Sequence, residues 1–95
     1  MPRHLAQQKE SPAPALVGSF EALGQLVRQQ RLALRMRIDD AAGLCGVSAN
    51  VMSRLENGKD TIGVDRLLLV LDGLGLSLAI GPKPAMVDRL REART

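Results

Sequence analysis

The sequence predicts an all-α fold: a small bundle of four to five short helices, followed by one short C-terminal β-strand that pairs across a homodimer. Three observations predict it. In four successive segments apolar residues recur at i, i+3 and i+4 spacing, the period of a helix with one buried face. Those segments are set off by capping residues or by glycine and asparagine–glycine stops. One stretch alone, residues 76–80 (LSLAI), alternates apolar and small side chains in the manner of a strand.

The elements follow in chain order. Residues 1–18 carry three of the five prolines and no helical period, and read as a flexible arm. Ser19 is placed to cap a helix over about 20–34, with Glu21 in its first turn and Phe20, Leu23, Val27, Gln30/Arg31 and Leu34 on its inner face. A second helix over 38–45 turns Ile38, Ala41, Ala42 and Cys45 inward and stops at Gly46, where a left-handed residue is cheapest as glycine. Ser48 caps a third helix, 49–57, with Val51, Met52 and Leu55 as its apolar face and Asn57-Gly58 as its stop. A fourth, 64–74, presents Val64, Leu67, Leu68, Val70, Leu71 and Leu74 as a broad buried face ended by Gly75. The domain so defined covers 19–75. The strand, 76–81, has no second strand in the chain to complete its ladder. Its expected partner is the same strand of a second copy, through Leu76, Leu78 and Ile80. Residues 82–95 read as a basic tail or a short helix.

Composition narrows the function. A chain of 95 residues holds one domain with a modest core, and the single cysteine, Cys45, allows no intramolecular disulfide. No Cys/His cluster has metal-ligand spacing, so no metal or other cofactor is expected and an oligomer is the expected source of added stability. Phe20 is the one aromatic residue, which argues against base-stacking nucleic-acid platforms. No apolar run reaches the ~20 residues of a membrane span, and the first fifteen residues lack the apolar middle of a signal peptide; the expectation is a cytoplasmic protein. The net charge is +3, yet residues 20–75 hold seven basic and seven acidic side chains, so the surplus lies in the tails. Charge alone does not make this a nucleic-acid binder. An enzyme is not expected either. Asp39 and Asp40 are adjacent and do not converge on one helix face, Cys45 occupies a small buried position, and Gly73-x-Gly75 ends a helix instead of opening a phosphate loop.

The motif lies between residues 41 and 59. Ala41-Ala42-x-x-Cys45-Gly46-Val47-Ser48-x-x-x-Met52-x-x-Leu55-Glu56-Asn57-Gly58-Lys59 has the anatomy of a helix-turn-helix. Ala42 and Cys45 are small enough for two helices to cross closely, Gly46 makes the turn, Val47 plugs it, and Met52 and Leu55 anchor the second helix. The other face of that helix is left to solvent, or to DNA.

Over residues 22–75 the sequence resembles the lambda-repressor-like (Cro-type, or XRE) DNA-binding family. The likeness runs from Leu23-Gly24-x-x-Val27-Arg28-x-x-Arg31 through Gly46-Val47-Ser48 and Leu55-Glu56-Asn57-Gly58-Lys59 to Leu71-Asp72-Gly73-Leu74-Gly75-Leu76. The run Thr61-Ile62 … Leu68-x-Val70-Leu71-x-x-Leu74-Gly75-Leu76-Ser77-Leu78 is similar to HipB-type antitoxins. That resemblance implies a homodimeric repressor that binds a palindromic operator in double-stranded DNA and holds a HipA-like kinase toxin, in a HipBA-like toxin–antitoxin operon. It implies base-edge contacts from Ala49, Asn50, Ser53 and Arg54, and phosphate contacts from Arg37, Ser48, Asn57 and Lys59. It also implies a structural ion pair between Arg31 and Glu56. One departure stands out: Arg37 and Ile38 occupy positions where the family usually has Thr-Gln, so one backbone clamp is missing unless Arg37 replaces it. Two alternatives stay open, a stand-alone Cro-type regulator with no toxin and a protein-interaction module with weak DNA binding.

Overall fold

The computed structural model describes residues 11–59 and 62–94. The described residues form five helices: α1 (Phe20–Ala33), α2 (Ile38–Cys45), α3 (Ala49–Glu56), α4 (Val64–Gly73) and α5 (Lys83–Arg94). The expected arm falls largely outside them; its described part, 11–18, has no regular secondary structure. Thr61, the first residue of the antitoxin-like run, also lies outside.

Each helix boundary has a local cause. The Ser19 Oγ accepts the Ala22 N–H at 3.1 Å and opens α1. The chain leaves α1 through Leu34 and Arg35, the latter at φ 59°, while the N–H of Met36 donates back to the Arg31 carbonyl at 3.2 Å. Gly46 closes α2 at φ 75°, and the Val47 N–H then donates to the Ala42 carbonyl at 3.0 Å. Ser48 opens α3 with its Oγ on the Val51 N–H at 3.1 Å.

The core is built from Val27 of α1, Ala41, Ala42 and Cys45 of α2, Met52 and Leu55 of α3, and Val70, Leu71 and Leu74 at the end of α4. α1 packs on α3, and α2 on both α3 and α4. Gly24 makes the first of these contacts possible. A Cβ there would run into the backbone carbonyl of Leu55, so only a glycine lets α1 lie this close to the carboxyl end of α3. Cys45 is small for α4 and not only for its own turn: a Cβ on Gly73 would sit 2.7 Å from its Sγ.

Three expectations are corrected. Leu34 is 46% exposed and Ala33 is buried instead, because the left-handed turn at Arg35 carries the chain away from the core. The inner face of α4 is narrower than expected: Val70, Leu71 and Leu74 are buried, but Val64 is 68% and Leu68 47% exposed. Residues 76–81 form no strand, and no strand occurs among the described residues. A ladder needs a second backbone, and this segment pairs with none among the described residues. Leu76 packs against the core while Leu78 and Ile80 lie in the open. Of the two readings for 82–95, the structure has the helix.

Candidate nucleic-acid interface

The α3 helix turns two kinds of residue to two sides. Met52 and Leu55 are fully buried, while Ala49, Asn50 and Arg54 are exposed and Ser53 is half-buried. Eight residues at 3.6 per turn give little more than two turns, so each exposed position is one register step from the core.

What keeps the helix in place is charge as well as packing. The Arg31 guanidinium donates through Nε to Glu56 Oε2 at 2.7 Å and through Nη2 to Glu56 Oε1 at 2.9 Å. Its remaining nitrogen, Nη1, donates to the Met36 carbonyl at 2.9 Å. Both side chains are buried, and the two parallel bonds fix orientation as well as distance. The bond to the Glu56 carboxylate, with its negative charge, holds the Arg31 pKa above its ordinary value against the opposing cost of burial. The pair thus ties the last residue of α3 to α1 and to the turn that follows α1. It makes no use of the exposed face.

An open groove of about 570 Å³ runs along that face, lined by Asn50, Ser53, Arg54, Asn57 and Lys59. Three of the four expected base-contacting residues therefore meet two of the expected phosphate contacts in one concavity. Ala49, also exposed, lies one residue before Asn50 at the start of α3. Ser48 accepts the Val51 N–H, and its own hydroxyl hydrogen remains for an outside acceptor. Asn57 is partly committed: its Nδ2 donates to the Ser53 carbonyl at 2.8 Å. Arg37 precedes α2, away from the groove's lining, with its Nε 3.8 Å from Asp40 Oδ2 in an exposed pair. Ile38, where the family's glutamine is missing, packs against the core; it adds apolar burial in place of a polar reach.

A second cleft on the same helix adds a cation that the sequence did not mark. Its walls include Asn50 and Arg54 together with Ile62, Gly63 and Arg66. In the sequence Arg66 is one of seven cations in a neutral domain; only the tertiary placement of α4 brings it beside α3. Cys45 is the opposite case. Its Sγ lies 3.6 Å from the Val70 carbonyl, and burial pushes its thiol pKa up, away from the thiolate a nucleophile needs.

Comparison with known proteins agrees with this geometry. Residues 22–79 match the family described as "Helix-turn-helix domain". The chain belongs to that family. It is also 40% identical over 58 residues to an uncharacterized HTH-type transcriptional regulator, y4mF, of Sinorhizobium fredii (strain NBRC 101917 / NGR234). The match covers 61% of this chain and 76% of that protein. Together the domain and this relative support DNA-binding transcription regulation. No helix among the described residues is long and apolar enough to cross a membrane.

Proposed function

We propose that this helix-turn-helix protein is a sequence-specific transcriptional repressor that reads a palindromic operator as a homodimer. The observation that carries the reading is the groove on α3, where Asn50, Ser53 and Arg54 share one open wall while Arg31–Glu56 locks the helix end from behind. Asn50 has the paired donor and acceptor that suit adenine, and Arg54 the fork that suits guanine. The Ala49 methyl suits thymine, and Ser53 serves either base type. Ser48, Asn57 and Lys59, with Arg37 at the margin, hold the phosphates.

The dimer is supported by the apolar surface left uncovered around the end of the bundle. Leu68, Leu69, Leu78 and Ile80 are all exposed, and water is a poor neighbour for so many large apolar side chains close together in sequence. A second copy covers this apolar surface and sets two α3 helices about one turn of DNA apart, ~34–36 Å or a multiple. The antitoxin-like run at 61–78 of the sequence extends the reading: the protein serves as antitoxin and autoregulator of a HipBA-like operon, with a HipA-like kinase as its toxin, in the cytoplasm.

A binding selection from randomised duplex at ~150 mM salt tests the DNA reading. Enrichment of a palindrome with fixed half-site spacing is the expected result, and recovery of unselected sequence sinks it. The antitoxin role is tested separately, by affinity purification from the native organism; it predicts a stoichiometric kinase-like partner, and its consistent absence leaves a stand-alone regulator.

A further inference from the structure

The cleft between α3 and the start of α4 is about 280 Å³ in volume and has walls from two helices: Asn50 and Arg54 from α3, Arg66 from the first turn of α4, and Ile62 and Gly63 between them. Asn50 and Arg54 also line the larger groove. A rod-shaped ligand lying along the exposed face of α3 therefore borders Arg66 as well. None of the described residues lining either cleft is acidic. The neighbouring Asp65 is turned onto its own helix start, its Oδ1 accepting the Arg66 N–H at 3.0 Å. The start of α2 is the contrast. There Asp39 and Asp40 are exposed in the first turn and Arg37 lies 3.8 Å from Asp40, so the three side chains sum to a negative charge that a polyanion avoids.

We propose that Arg66 is a further DNA-backbone contact, and that the first turn of α4, not that of α2, supplies the stronger phosphate clamp beside the bases read by α3. The inference rests on α3 being the reading helix. A guanidinium grips a phosphate through two parallel N–H donors. The contact fixes the register of α3 in the groove and carries no sequence information itself.

Counterion release gives the contact a signature that a structural role lacks. The full chain is titrated onto the selected operator and onto a random duplex of equal length, from ~50 to ~250 mM salt, as wild type, Arg66→Ala, Arg66→Lys and Arg37→Ala, with thermal melts to check folding. Loss of one phosphate contact reduces the slope of log affinity against log salt by ~0.9, and a homodimer that loses one from each copy by ~1.8. Arg66→Ala is expected to show that reduction, to weaken both duplexes several-fold by the same factor, and to be rescued by Arg66→Lys. Arg37→Ala is expected to change the slope by less than half as much. An unchanged slope in Arg66→Ala, a loss confined to one base pair of the operator, or an equal loss in Arg37→Ala overturns the assignment. If the wild type binds neither duplex, the DNA reading falls and this inference with it; if it binds and Arg66→Ala matches it, this inference alone falls.

Discussion

Leu74 and Ile80 are six residues apart, both large and both aliphatic, and their environments are opposite: Leu74 is 1% exposed and Ile80 92%. Leu74 closes a bundle in which every element finds its complement within the chain. Its carbonyl takes the Gln30 Nε2 donor at 2.9 Å, and its side chain lies in a core shared by four helices. Past Gly75 the pattern of apolar residues continues, but beyond Leu76, which packs on the core, no described residue covers Leu78 or Ile80. Apolar periodicity thus reports a need for burial, not where the burial comes from. In the core of the bundle the need is met locally; at Leu78 and Ile80 and on the outer face of α4, a second copy is the cover we propose.

The largest effect should come from the bundle's buried charge. Glu56→Ala leaves the Arg31 guanidinium buried with one partner carbonyl, and should cost ~3–5 kcal/mol in chemical denaturation. A loss under 1 kcal/mol would show that solvent reaches the pair freely and that the bundle is looser than its packing indicates. Next in size is the reading face. Asn50→Ala and Arg54→Ala should each remove ~1–3 kcal/mol of discrimination between operator and random duplex, with melting temperatures unchanged because both side chains are exposed. Equal loss on both duplexes would reassign these residues from bases to phosphates. Gly46→Ala should cost ~1 kcal/mol, all of it backbone strain, since a Cβ there meets nothing within 4 Å. A larger penalty would mean that the turn between α2 and α3 governs more than its own geometry. The smallest effect on the folded monomer belongs to Leu78→Ser with Ile80→Ser, expected within ~0.5 kcal/mol at high dilution. Sedimentation at high concentration should nevertheless show the dimer lost. A variant that unfolds as a monomer would place these residues in the bundle's own core.

Much of this architecture was legible in the residue order, and the failures share a cause. Caps and breakers act over a few residues, so Ser19, Gly46 and Ser48 marked α1, the end of α2 and the start of α3 correctly. Burial is set by the tertiary path, which is why Leu34 was expected inside and lies outside. The Arg35 turn, an arginine at positive φ, has no glycine to announce it. The same holds for Val64 and Leu68: a helix's apolar stripe shows which sides seek cover, and the helix packed against it, here α2, decides how wide a stripe is covered. In the proposed interface, the family resemblance pointed to Asn50, Ser53 and Arg54, and the three line one groove. Arg66 was not marked, since its proximity to them depends on the tertiary placement of α4, which periodicity does not describe.

Whether α3 reads base sequence is decided by a competition titration. Purified protein is bound to labelled operator at ~150 mM salt and displaced by unlabelled operator or by random duplex. Random duplex is expected to be at least ~10³-fold weaker as a competitor. Equal competition by the two would contradict that expectation, and would leave the groove on α3 a surface that holds DNA without reading it.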